Sequence, residues 1–183
     1  MSCINKKELN LIKEYRLLWN QHSEWTRMAI NAIVLELPNE DEEVARLLRN
    51  PLDFGEALEV YYGKRKSDQF ADLLTEHLIL AADMIKAMMA GNNSEAERIA
   101  RLWYENGDEI ASFLGSINPC WSYMKWKEMF FMHLLYVQDL ATTMMNQHYE
   151  ENIRIYDKLE LEAMEMADYM SCGIIKQFPR KFC

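Results

Sequence analysis

Glycine and proline are scarce in this chain, with 6 Gly and 4 Pro among 183 residues. Average usage of the two together is about 12%, and folds built from sheets spend many of these residues in turns. The sequence also lacks a glycine-rich phosphate loop, either G-x-G-x-x-G or the P-loop. This composition argues against a β-sandwich or barrel and excludes most phosphate-loop enzymes.

Positive charge is scarce as well, with 20 Lys and Arg against 29 Asp and Glu and a formal net charge of −9. An acidic surface repels phosphate backbones, so no nucleic-acid partner is expected. Every long apolar stretch contains charges, so no membrane span is expected. The first residues have no apolar segment typical of a signal peptide. Cys3, Cys120, Cys172 and Cys183 show no C-x-x-C spacing, which favours isolated thiols and a cytoplasmic location.

Apolar residues recur three and four positions apart in five long segments, which is the helical period. The predicted long helices span about residues 7–35, 67–90, 94–114, 118–147 and 149–176. Two short helices, about 42–49 and 53–61, are predicted on either side of Asn50-Pro51, because a proline interrupts helical hydrogen bonding. The fold class is therefore all-α. We expect a single domain over residues 1–183, an up-and-down bundle of four long helices with a fifth long helix and a short-helix insert.

Four polar residues lie at positions where the helical period requires an inward side chain: His22, His77, Asn106 and His133. Each is near the middle of its predicted helix, so the four meet in one layer if these helices pack side by side. Imidazole is the commonest ligand of divalent transition metals. We therefore predict His22, His77 and His133 as ligands of a metal ion such as Zn, Fe or Mn, or as part of a small-ligand site, with Asn106 beside them.

Three charged residues near this layer extend the predicted site. Arg27, about one turn from His22, is suited to a small anionic ligand if it turns inward. The alternative is that it pairs with an acidic neighbouring helix. Glu76 is a candidate to orient a ligating histidine. Glu160 falls on the inward stripe of the last helix, whereas the acidic residues around it, including Glu162, are interpreted as a solvated face.

A structural interpretation stands beside the binding one. Inward polar layers also serve only to fix helix register, and the chain would then be an interaction or regulatory module, with a homodimer as the expected assembly. Haem ligation by two of the histidines is a third interpretation. The sequence identifies no nucleophile–base pair, so whether the protein is an enzyme is left open.

Two histidine segments are alike. His77-Leu-Ile-Leu-Ala-Ala-Asp83 matches the pattern of His133-Leu-Leu-Tyr-Val-Gln-Asp139, which indicates a duplicated helical hairpin. Histidines on the second and fourth long helices also make the chain similar to ferritin-like di-iron bundles. Leu74 and Phe130 stand where that family has the glutamates of its Glu-x-x-His pairs. The resemblance therefore implies related architecture and not di-iron chemistry.

Several other segments carry a resemblance that covers nearly the whole chain. They are Leu18-Trp19, Trp25-Thr26-Arg27, Leu47-Leu48-Arg49-Asn50-Pro51, Thr75-Glu76-His77-Leu78, Trp103-Tyr104-Glu105-Asn106, Ile117-Asn118-Pro119 and Lys176-Gln177-Phe178-Pro179. On these residues the chain resembles a family of short helical bacterial proteins without established function, some of which are labelled acetylglutamate kinase. Such kinases resemble larger α/β proteins with glycine-rich phosphate loops, which this chain lacks. The resemblance implies a compact bacterial helical protein and supplies no mechanism.

Overall fold

The computed structural model describes residues 5–183 and contains six α-helices within that range. They are α1 Lys6–Val34, α2 Glu40–Tyr62, α3 Lys64–Met89, α4 Asn93–Ile117, α5 Tyr123–Met145 and α6 Tyr149–Gln177, followed by a 3₁₀ turn at Pro179–Lys181. No strand forms among these residues, so the predicted all-helical class is confirmed. Cys120, Cys172 and Cys183 are free thiols, and Cys3 lies outside the described residues.

The predicted interruption at Asn50-Pro51 is wrong, because α2 continues through Pro51 as one helix of 23 residues. Asn50 and Pro51 are both buried, and so are Phe54 and Leu58 one and two turns further on. A proline inside a helix costs about 3 kcal/mol, and burial of an apolar side chain contributes about 1.5–3 kcal/mol. The buried stripe of α2 therefore offsets the lost hydrogen bond, and a long helix replaces the expected short-helix insert.

Side chains cap the starts of α1, α4 and α5. Asn5 caps α1 in a capping box, in which its side chain accepts from the backbone N–H of Lys7 and Glu8 while Glu8 Oε2 accepts from the Asn5 N–H. The predicted start of the α5 helix at Asn118-Pro119 is corrected. Ser122 caps this helix instead, and the Asn118 side chain accepts the Cys120 N–H within the preceding turn.

The six helices form three antiparallel hairpins that pack in a ring. We call α1–α2 hairpin 1, α3–α4 hairpin 2 and α5–α6 hairpin 3. Within the ring α2 packs on α3, α4 packs on α5, and α6 closes the ring against α1. Helix α1 also contacts α3 and α5, so the first helices of the hairpins meet at the centre.

The three hairpins are repeats of one another. Each first helix ends in the same turn, in which a residue with left-handed φ follows the helix: Glu36 at 50°, Gly91 at 68° and Gln147 at 59°. These residues are 55 and 56 positions apart. In each turn the next residue donates its N–H to a carbonyl five positions back, an arrangement typical of a helix C-terminus. The donor and acceptor pairs are Leu37 and Ala32, Asn92 and Ala87, and His148 and Thr143. The duplication predicted from the sequence is therefore a triplication.

Aromatic side chains fill much of the centre. Trp19, Phe54, Phe70, Trp103 and Trp126 are each at most 1% exposed. Their packing leaves the first helices of the hairpins close together, and this is where the predicted polar layer lies. Among residues 5–183, no helix combines the length and the apolar character required to cross a bilayer.

Candidate functional site

The three predicted histidines occupy one equivalent position in the three repeats. His22 lies on α1, His77 on α3 and His133 on α5, and each is at most 2% exposed. Their spacing of 55 and 56 residues equals the spacing of the hairpin turns. Because the first helices meet at the centre of the ring, the structure buries the three imidazoles in one region of the interior. We call these side chains and their hydrogen-bond partners the imidazole layer.

Each imidazole is held by the second helix of its own hairpin. The ring atom Nδ1 is the bonding atom in all three cases. The pairs are His22 Nδ1 with Asn50 Oδ1 at 3.0 Å, His77 Nδ1 with Asn106 Oδ1 at 2.8 Å, and His133 Nδ1 with Glu162 Oε2 at 2.8 Å. The partner lies 28 or 29 residues after its histidine. A hydrogen bond from a histidine to a side-chain oxygen therefore joins the two helices of every hairpin.

The surrounding hydrogen bonds fix the position of the proton on two of these rings. Asn50 Nδ2 donates to the Leu18 carbonyl and Asn106 Nδ2 donates to the Leu73 carbonyl, each four residues before the histidine concerned. The amide oxygens consequently face the imidazoles, and Nδ1 must donate. Nε2 of each ring then carries the free lone pair.

Burial governs the protonation of the layer. It lowers the pKa of His22 to about 3, and the nearby imidazoles of His133 and His77 lower it as well. Burial likewise lowers the pKa of His77 to about 3, with a smaller contribution from His133. The hydrogen bonds to asparagine oppose these effects without cancelling them. Both rings are therefore neutral at pH 7, with the lone pair on Nε2.

The layer contains polar atoms that lack partners. The His22 and His133 rings lie 5.3 Å apart between centroids, whereas His77 packs 5.3 Å from the Trp103 ring and 6.1 Å from Phe130. Within the described chain, His77 Nε2 and the Trp103 indole N–H have no hydrogen-bond partner. Over residues 5–183 no group of three or more His, Cys, Asp or Glu side chains is positioned to hold a metal ion.

Of the other predicted site residues, one lies in the imidazole layer and three lie outside it. Asn106 lies in the layer, bonded to His77. The Arg27 guanidinium carbon lies 4.2 Å from the ring centroid of Tyr156 on α6, so this side chain extends along α6 and not into the layer. Glu76 and Glu160 are exposed on α3 and α6. The inward orientation expected for Glu160 is therefore corrected.

Sequence reasoning missed two members of the layer, Asn50 and Glu162. Asn50 was expected at a helix break, and Glu162 on a solvated face. The signal that identifies them is their spacing, because Asn50, Asn106 and Glu162 are 56 residues apart and each follows a histidine by 28 or 29 residues. A carboxylate replaces the amide in hairpin 3, and Glu162 Oε1 is buried without a partner in the part of the chain described.

No protein-family model, curated protein or solved structure matches the chain. What the site can do therefore follows from its own geometry.

A pocket of about 170 Å³ adjoins the layer between hairpin 1 and α3. Its walls are almost entirely apolar, and representative lining residues are Ala29, Ile33, Val44, Leu47, Leu78 and Ile85. It is also lined by Thr26, Ala81 and Val137, each of which follows one of the three histidines by four residues. Since four residues make about one helical turn, this part of the pocket lies one turn from the imidazole layer. We call it the inner end.

Charged side chains occur in the pocket lining only at exposed positions of α3. Asp83 and Lys86 are both exposed, and Lys86 Nζ lies 2.8 Å from Glu40 Oε1 at the start of α2. This pair spans the α2–α3 side of the pocket. Exposed pairs of this kind contribute little to stability. The pocket thus combines a charged rim with an apolar interior.

Proposed function

We propose that this protein binds a small, largely apolar molecule in the pocket between hairpin 1 and α3. The observation that carries the proposal is a comparison of the three repeats. Ala29 of hairpin 1 corresponds to Met84 in hairpin 2 and Leu140 in hairpin 3. Both larger side chains are buried, but a cavity also adjoins Met84 in hairpin 2, so what distinguishes hairpin 1 is the apolar lining of its pocket.

A second position differs between hairpins 1 and 3. Val44, which lines the pocket, corresponds to Ala100 in hairpin 2, which also lines a cavity, and to Tyr156 in hairpin 3, where the Arg27 guanidinium covers the tyrosine ring. At the interface of hairpins 2 and 3, the cavity next to Met84 is lined partly by the polar side chains of Asn93 and Gln138. The pocket beside Ala29 therefore differs from the cavity beside Met84 in the apolar character of its lining.

The volume indicates the size of the ligand. Protein interiors are close-packed and contain few voids larger than a water molecule, and a well-formed apolar pocket is the usual form of a small-molecule site. A dry cavity of about 150 Å³ lined by aliphatic and aromatic side chains accommodates benzene. At about 170 Å³, the pocket suits a molecule of about benzene's size or slightly larger.

The experiment is a titration with benzene of the wild-type protein and of Ala29→Leu, followed by NMR of the pocket methyl groups. The leucine places in hairpin 1 the side chain that hairpin 3 has at Leu140. We expect saturable binding to the wild type and a loss of at least about tenfold in affinity for the variant, with a folded spectrum retained.

Ala45→Leu is the matched control, because Ala45 is exposed on the same helix as Val44. It should bind benzene as the wild type does. Equal affinity of the wild type and Ala29→Leu, or no saturable binding by the wild type, contradicts the proposal.

A metal site in the imidazole layer is the second candidate function, and a specific observation favours it. All three imidazoles engage an oxygen acceptor through Nδ1, which is how proteins commonly orient metal-ligating histidines. Within residues 5–183 the three rings are not positioned to share an ion as they stand. After a shift of these side chains, His22, His77 and His133 would supply Nε2 to one Zn, Fe or Mn ion, with Asn50, Asn106 and Glu162 orienting the rings.

Measurement of the metal content of the purified protein tests this second candidate function. Protein purified without an affinity tag from metal-supplemented medium would be analysed by plasma mass spectrometry, together with His77→Ala and, as control, His148→Ala at an exposed position. Near-stoichiometric metal in the wild type and the control, lost in His77→Ala, supports a metal site. Less than about one-tenth equivalent in the wild type contradicts it.

A further inference from the structure

Thr26 behaves differently from the other threonines of the described chain. A threonine inside a helix commonly donates its hydroxyl to the carbonyl four residues before it. Thr75, Thr142 and Thr143 do so at 2.7–2.8 Å. The Thr26 side chain is in a helix and the residue is only 6% exposed, yet its Oγ1 has no hydrogen-bond partner within residues 5–183.

Thr26 lines the inner end of the pocket, but its Oγ1 has almost no surface open to the pocket, and a rotation about χ1 is needed to turn the hydroxyl inward in place of the methyl group. The equivalent residues of hairpins 2 and 3 are Ala81 and Val137, which are apolar and also line the pocket. Two of the three repeats therefore have a side chain without a hydroxyl at this position. The hydroxyl occurs in the one repeat that has the small Ala29 at the pocket. Because an unpartnered buried hydroxyl is unfavourable, a polar atom of a bound molecule is its natural partner.

No charged side chain lines the inner end of the pocket. The charged lining residues Asp83 and Lys86 are exposed, and Lys86 is already paired with Glu40. An ionised group placed beside Thr26 would lose its hydration without gaining a counter-ion, which is strongly unfavourable. A neutral group that donates or accepts one hydrogen bond has no such cost.

We infer that the molecule bound in this pocket is neutral and has an apolar body and a single hydroxyl or N–H group, which pairs with Thr26 Oγ1. Phenol is the smallest aromatic probe of this class. The inference rests on the proposed binding function and adds to it the chemistry and orientation of the ligand. Its polar group lies at the inner end, one turn from His22, and its apolar body lies among the aliphatic side chains of α1, α2 and α3.

The test compares phenol, benzene and benzoate on the full chain by NMR titration of the pocket methyl groups. A net hydrogen bond between neutral groups makes phenol about fivefold tighter than benzene on the wild type. Thr26→Val has nearly the same shape and lacks the hydroxyl, so it should bind the two compounds equally and retain the wild-type affinity for benzene. Benzoate should bind at least about tenfold more weakly than phenol.

Two further variants make the comparison decisive. Thr26→Ser keeps the hydroxyl and should restore the preference for phenol. Thr75→Val removes a hydroxyl that already bonds to the Ala71 carbonyl, outside the pocket lining, and should leave all three affinities unchanged.

The outcomes separate this inference from the proposed function. If neither phenol nor benzene binds the wild type, the proposed function fails and the inference falls with it. If benzene binds but phenol is no tighter, or if Thr26→Val keeps the preference for phenol, the pocket is a binding site and the inferred chemistry is overturned. Tightest binding by benzoate overturns the inferred neutrality of the ligand.

Discussion

Acid should destabilise the metal-free protein through two buried imidazoles. The pKa of His22 and of His77 is lowered to about 3 in the folded protein, whereas an unfolded histidine has a pKa of about 6.5. Between these values the unfolded chain binds protons that the folded protein does not. The contribution to stability is therefore fully present above about pH 6.5 and is lost as the pH falls towards about 3.

The size of the effect follows from the same values. At pH 5, roughly 1.5 units below the unfolded pKa, each imidazole lowers the free energy of unfolding by about 2 kcal/mol relative to pH 7. The two together account for about 4 kcal/mol. Domains of this size have total stabilities of about 5–15 kcal/mol, so the loss is readily measurable.

The assay is guanidinium unfolding at pH 7, 6 and 5 in the presence of a chelator, followed by tryptophan fluorescence. His77→Gln retains a neutral amide and removes one titrating group, so its loss of stability between pH 7 and 5 should be smaller than that of the wild type by about 2 kcal/mol. The exposed control His148→Gln should match the wild type. Equal losses in the wild type and His77→Gln would refute the reasoning.

Three substitutions give further predictions, each measured by chemical unfolding. Gly173→Ala should lose about 1–3 kcal/mol because its Cβ would overlap the indole of Trp121, which is 2% exposed and unable to move freely; wild-type stability of this variant would contradict the close approach. Gly107→Ala should instead gain about 1 kcal/mol from helix propensity, since its Cβ meets the nearest atom at an ordinary 3.4 Å. Asn106→Ala should lose about 1–3 kcal/mol, because Nδ1 of buried His77 is left unpaired, and an unchanged unfolding midpoint would show that the bond does not stabilise the fold.

Helical periodicity was sufficient to predict most of the helices, because each buries one apolar stripe. It failed at α2, where Pro51 indicated a break. Local propensity there is overridden by burial of the helix around it, and that burial depends on contacts with other helices. The start of α5 was also misplaced, since two capping residues, Asn118 and Ser122, compete and only the first turn decides between them.

The candidate site was predictable in part. Period alone identifies His22, His77 and His133 as inward residues, but their partners depend on the register between the two helices of a hairpin. That register is set by the turns, which is why Asn50 and Glu162 were missed. The pocket leaves no trace in periodicity, because Ala29 satisfies the apolar pattern as well as methionine or leucine would. Its position depends on how hairpin 1 packs on α3, which periodicity does not specify.

The closed ring has a consequence for how the chain can be rearranged. Helix α6 packs on α1, Asp168 pairs with Arg16 at 2.6 Å, and Asn5 Nδ2 donates to the Phe182 carbonyl at 2.8 Å. The two ends of the described chain are thus neighbours, and the exposed Gly63 between hairpins 1 and 2 is a comparable junction. A circular permutant that joins the ends and opens at Gly63 would leave each hairpin and its imidazole pair intact. The order in which the hairpins are encoded is then separable from the architecture that they build.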